Sequence, residues 1–244
     1  MKTYAQADLS PSLTRFLREV RDALISVHGT RLSSLVLFGS QARGEARSDS
    51  DVDVLVVLDD RKGPWDGHQV SNAHADLSID LLLEHEWLLS AITVSRTRYL
   101  AQDGPLFWNV AEEGVIFFDM DDTLQNLIDQ AREHLDDAKW LIEERKRVRA
   151  SMELIYYAMF YAAEASLLAE GIPTKSHSGL IQKFGLHLVK SGKIEAQYAK
   201  DLARAFEARQ QSTYDFSQVK SLDEIRARYK EAEQFVTRIQ ALLK

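Results

Sequence analysis

Apolar residues at Leu13, Phe16, Leu17, Val20, Leu24 and Val27 recur at helical spacing, with Ser10 and Pro11 before them and Gly29 after them as end signals. The pattern then shortens. "SLVLF" at 34–38 and "DVDVLVVL" at 51–58 are compact apolar runs of strand length, and "DDRKGPWDG" at 59–67 is a loop by its Gly and Pro. The stretch 68–95 admits two readings. One is a helix to about residue 84 and a strand over 87–94. The other takes "ADLSIDLLL" as the strand, because Leu77, Ile79, Leu81 and Leu83 alternate. The first is preferred, since parallel neighbours need a crossover of about a dozen residues or more. "PLFWNVAEEGVIFFD" at 105–119 predicts a short helix and a final extended piece.

From Asp121 onward the period becomes helical throughout. Five helices are expected over roughly 121–147, 150–170, 178–191, 193–214 and 222–243, broken by Gly171-Ile172-Pro173, by Gly192 and by a short polar loop. The expected class is α+β: a small mixed sheet with helices over 1–120, followed by an all-α bundle over 121–244.

Composition narrows the chemistry. The 244 residues are 45% hydrophobic and 27% charged, as in an ordinary globular protein, and contain no cysteine. A disulfide framework, a thiol nucleophile and a cysteine zinc site are therefore excluded. The start lacks the apolar core of a signal peptide and no apolar run reaches spanning length, so a cytoplasmic location without a membrane partner is expected. Residues 1–120 carry 11 basic and 18 acidic side chains, whereas residues 121–244 carry 19 of each. The acidic half is a poor general binder of nucleic acid.

Against that acidity, "LFGSQARGEARSDSDVDVLVVL" at 37–58 places two acids at the mouth of an apolar strand, where an unpaired charge is costly. Gly39-Ser40 ends one strand in a turn whose backbone N–H groups can face a phosphate. Ten residues later, Asp51 and Asp53 are spaced to point to the same face of the next strand. Two carboxylates on one face suit Mg²⁺, and a metal held between carboxylates and a triphosphate serves phosphoryl or nucleotidyl transfer. Arg43, Gly44 and Arg47 would shape the turn. A cap at Asp51 and a surface acid at Asp53 is the competing structural explanation.

The Gly-Ser, ten-residue, Asp-x-Asp pattern resembles the signature of the minimal nucleotidyltransferases in the DNA polymerase β-like superfamily, and Ala42-Arg43-Gly44 and Ser50 match as well. The resemblance implies metal binding by Asp51 and Asp53, nucleotide binding by Gly39, Ser40, Arg43 and Gly44, and ATP with Mg²⁺ as donor and cofactor. It also implies a third carboxylate on the third strand. Glu86 is the candidate if that strand is 87–94, and Asp80 if it is 76–83.

The second half carries "AMFYAAEASLLAEGIPTKSHSGLIQKFGLHLVKSGKI" (158–194) and "ARQQSTYDF" (208–216), and resembles a HEPN domain. Such bundles accompany minimal nucleotidyltransferases, fused or as partners in toxin–antitoxin pairs. Active HEPN ribonucleases carry Arg, four to six residues, then His. Here Arg209 is followed by Tyr214, and a tyrosine with a pKa near ~10 is a poor base at neutral pH, which argues against ribonuclease chemistry. The resemblance instead implies that a HEPN tyrosine accepts AMP, with Tyr214 or a separate HEPN protein as acceptor, RNA as a possible partner, and a homodimer as the assembly.

The alternatives are a non-catalytic nucleotide- or RNA-binding module and an aminoglycoside-type nucleotidyltransferase. His177 in "KSHSG" is expected to pack beside a serine helix cap, with a phosphate-facing role as the alternative. His68, His74 and His85 show no metal-ligand arrangement, except that a helix could bring some of them near each other, and a structural role is expected. Tyr156, Tyr157, Phe160 and Tyr161 fit a bundle core with a wet tyrosine edge, and "EERKRVR" (143–149) a solvated helix end.

Overall fold

A computed structural model describes residues 1–47, 49–214 and 221–244, the side chains of 211–214 excepted. The chain divides into two compact units, Met1–Asp121 and Asp122–Lys244.

The first unit runs β1 (Lys2–Thr3), α1 (Pro11–His28), β2 (Leu32–Phe38), α2 (Gly39–Arg43), β3 (Val52–Leu58), α3 (Gly67–His85), β4 (Leu89–Ser95), α4 (Arg96–Ala101), α5 (Pro105–Glu113) and β5 (Val115–Asp119). Ser10 Oγ accepts from the Leu13 amide at 3.2 Å and Pro11 opens α1, as the end signals predict. The sheet order is β1-β5-β2-β3-β4. β2 is antiparallel to both β3 and β5, whereas β4 is parallel to β3. The crossover between β3 and β4 is α3, so the reading of 76–83 as a strand is overturned. The alternating leucines there lie on a helix that keeps Val70, His74 and Leu81 buried. Two short elements escape the sequence reading: β1, two residues held parallel to β5, and α4, six residues capped by Ser95.

At the far end of β3 the buried Asp59 is bound by Arg61 Nε and Nη2 at 2.8 and 2.7 Å. Those hydrogen bonds lower its pKa to about 2, so the stability it adds persists until strongly acid pH.

The second unit is a bundle of α6 (Met120–Glu143), α7 (Val148–Leu168), α8 (His177–Phe184), α9 (Ala196–Tyr214) and α10 (Leu222–Leu242), α6 starting at the last residues of the first unit. A π-helical turn, Gly185–Val189, continues α8, and the two together fill most of the predicted 178–191 helix. α7 packs against α8, α9 and α10. Its small residues Ala158, Ala162, Ala163, Ala165 and Ser166 are buried, which lets those helices approach closely. No helix among the described residues is long and apolar enough to cross a membrane.

Candidate active site

Residue alternation along β3 builds the first half of the site. Asp53 pairs with Phe38 of β2 and Ser90 of β4. On its face of the sheet follow Leu55 and Val57, which pack with Phe107 and Val110 of α5. Asp51 stands one residue before the strand, exposed, and by alternation faces the same way. The valines at 52, 54 and 56 face the opposite side and are buried.

Gly39 begins α2 at the end of β2 with φ +73°, a backbone conformation open to glycine and strained for other residues. A Cβ there would strike the Asp53 carboxylate. The missing side chain is what allows the turn to lie directly against that carboxylate. Ser40 follows within α2, and Gly44, at φ +72°, closes it.

α5 supplies a residue that sequence reasoning missed. The Gly39 amide donates to Glu113 Oε1 at 2.9 Å, and Arg43 Nη1 donates to Glu113 Oε2 at 2.5 Å. Arg43 Nε also donates to Glu45 at 2.7 Å. The Glu45 and Glu113 carboxylates together raise the Arg43 pKa and hold it charged. A carboxylate thus spans a backbone amide and a guanidinium, the donor pair that a phosphate oxygen would use. Glu113 lies far from Gly39 in sequence, and nothing local in "AEEG" points to the contact. Replacing it with glutamine removes a negative charge from the turn. Glu113→Gln is expected to tighten binding of a nucleoside triphosphate by about three- to tenfold, from a Coulomb change of about 1 kcal/mol, as titration calorimetry would read.

The third acid is not delivered by the sheet. The β4 residue opposite Asp53 is Ser90, and Leu89–Ser95 contains no carboxylate. Glu86 caps the end of α3 at φ 60°, exposed, with its N–H bonded to Leu82 O. Asp80 lies on α3 and is exposed. Asp51 and Asp53 are two carboxylates beside the glycine turn, a donor set whose chemistry suits a divalent cation.

In the second unit, Arg209 of α9 meets a tyrosine pair on α7. Its Nη2 donates to Tyr157 Oη at 3.1 Å, and its guanidinium lies 5.5 and 5.2 Å from the Tyr156 and Tyr157 ring centres. His177 opens α8, where Ser176 Oγ accepts from the Gly179 amide as the cap. The imidazole Nδ1 and the hydroxyl of the fully buried Tyr156 are 2.7 Å apart. Phe160 and Phe206 pack on the imidazole. Burial and the nearby Arg209 both lower the His177 pKa, while burial raises that of Tyr156. Sequence reasoning saw the cap; the convergence of His177 with Arg209 on one tyrosine pair comes only from the bundle. Tyr214 ends α9, and its side chain lies outside the described residues.

Comparison with known proteins accords with both halves. A nucleotidyltransferase domain model matches residues 17–107, and a HEPN domain model matches residues 124–242. A UPF0332 protein of Thermotoga maritima is 36% identical over 116 residues, covering 47% of this chain and 86% of the relative. The chain belongs to the HEPN family, here joined to a nucleotidyltransferase domain. A Methanocaldococcus jannaschii protein named as a candidate toxin is 36% identical over 126 residues, 52% of this chain and 92% of its own. Another from that organism, named as a candidate protein adenylyltransferase, is 33% identical over 103 residues, 42% of this chain and 94% of its own. The HEPN domain therefore accompanies a domain of the nucleotidyl-transfer class.

Proposed function

We propose that the protein transfers AMP from ATP, with Mg²⁺, to a tyrosine hydroxyl of a HEPN domain, as one component of a toxin–antitoxin-like system. The observation that carries this reading is the contact of the Gly39 turn with the Asp53 carboxylate. In this reading the backbone of the turn would face phosphate and Asp53 would hold the cation beside it, as transfer from a triphosphate requires. The names of the two Methanocaldococcus relatives point the same way.

Asp51 and Asp53 would hold the cation, which when bound supplies charge neutralisation and Lewis acidity at the phosphates. Gly39 and Ser40 would take triphosphate oxygens through backbone N–H and hydroxyl, and Arg43 would oppose their charge once drawn from Glu113. The acceptor oxygen bonds to the α-phosphorus as its bond to the pyrophosphate oxygen breaks; pyrophosphate leaves and the hydroxyl proton is released. Incubating the protein with Mg²⁺ and ATP labelled on the α-phosphate, with and without a separate HEPN protein, tests this reading. Label on protein is expected, and none with the Asp51→Asn/Asp53→Asn variant. Absence of both transfer and nucleotide binding would sink it.

A second reading is favoured by the placement of His177 beside Arg209. The bundle would bind an RNA or nucleotide phosphate there, in a homodimer. Loss of RNA binding in Arg209→Ala, with the assembly intact by light scattering, is the matching expectation.

A further inference from the structure

We propose that Glu19, Glu84 and His85 form a second cation site, for Zn²⁺, between α1 and the end of α3. The site is separate from Asp51 and Asp53 and does not depend on the transferase reading.

α1 turns Phe16 and Glu19, one helical turn apart, towards α3. Phe16 meets the rings of His85 and Trp87 edge-on, which holds the imidazole beside Glu19. His85 Nε2 then lies 2.7 Å from Glu19 Oε2. A Glu84 carboxylate oxygen completes a set of three ligand atoms that all lie within 4.8 Å of one another. Spacing along α3 does not show this set, because Glu19 stands 66 residues from His85 in sequence.

The donors and their charge decide what fits. Among the described ion pairs, Glu19 meets His85, and neither carboxylate meets a lysine or arginine. Two carboxylates and a neutral imidazole carry two negative charges, the complement of a divalent ion. An imidazole nitrogen with two carboxylate oxygens suits zinc, whereas Mg²⁺ and Ca²⁺ take oxygen ligands. Ligand atoms around tetrahedral zinc stand about 3.3 Å apart, so the Glu19–His85 pair need open by only about half an ångström. Three protein ligands leave a fourth position for water. Glu19 and His85 are half-buried and Glu84 is exposed, which leaves one side of the site open to solvent.

Bound zinc would clamp α1 to α3. Three residues after His85, Leu88 O accepts the Val52 amide at 2.9 Å, next to Asp51. An ion at His85 therefore restrains the turn that holds the start of β3.

The test is titration calorimetry of the untagged full chain, freed of metal by chelation, with ZnCl₂. It is run in the Asp51→Asn/Asp53→Asn background so that the candidate active site does not contribute. One Zn²⁺ per chain is expected to bind in the micromolar range, undisplaced by excess Mg²⁺ and at least tenfold weaker in His85→Gln or Glu19→Gln. Far-UV circular dichroism checks the fold of each variant. Anomalous scattering at the zinc edge, from zinc-soaked crystals of the unsubstituted protein, locates the ion whatever the substitutions do, and a peak bridging Glu19 and His85 is expected. No zinc bound in that background, equal binding in His85→Gln, displacement by Mg²⁺, or a peak away from His85 would each overturn the proposal.

Discussion

Gly39→Ala is expected to slow nucleotidyl transfer by about 100-fold or more, the order of loss that an ångström of misplacement at a reacting centre produces. Two effects combine at this residue. At φ +73° any L side chain carries a backbone cost of roughly 1–2 kcal/mol. The new methyl would also collide with the Asp53 carboxylate, so either the acid rotates off its face or the turn withdraws. Both responses separate the amides from the acid. Gly29→Ala is the control, because Gly29 also has positive φ, at 57°, but a Cβ there meets nothing within 4 Å. Both variants should lose stability in a denaturant titration, and only Gly39→Ala should lose transfer. Equal activity in the two would refute the geometric argument.

Stability is expected to fall by about 2–3 kcal/mol as the pH drops from 6.5 towards 4, from one imidazole pair. His28 Nε2 and His74 Nε2 lie 2.8 Å apart between α1 and α3, and His74 Nδ1 lies 3.3 Å from Thr93 Oγ1 of β4. Burial, then His74, then Arg31 lower the His28 pKa from 6.5 to about 4, and burial lowers that of His74. A histidine whose folded pKa lies below its unfolded one stays neutral in the fold. Its contribution is complete above the unfolded pKa and disappears as the pH falls towards the folded one. His74 lines a cavity of about 480 Å³ with Trp65 and Thr93, on the face of the sheet opposite Asp53, so water can reach the pair as it charges. Chemical denaturation across this range reads the slope, and His28→Leu should flatten it. Asp59, with its pKa at about 2, would add a further loss only at lower pH.

The order of the longer elements was legible because each rests on local periodicity, whereas β1 and α4 are too short to show one. The α3 crossover followed from the need to bring two parallel strands together, and the competing strand failed because the alternation of Leu77, Ile79, Leu81 and Leu83 lies on a helix largely exposed along one side. Leu83 and Ile79 are 81% and 55% exposed, so their pattern reports no buried face. The third carboxylate was misjudged for a related reason. Strand register decides which residue stands beside Asp53, and it places Ser90 there.

By itself the sequence determined the succession of the main elements and the glycine turn at the end of β2, since backbone dihedrals and short periods act over a few positions. Only the tertiary structure decided what meets those residues. Glu113 reaches the Gly39 amide from the end of α5, His28 meets His74 across two helices, and His177 joins Arg209 around Tyr156 and Tyr157. These contacts join residues distant in sequence through the packing of whole elements, and the free energy that fixes them is burial of the apolar faces, not any preference carried by the polar residues that meet.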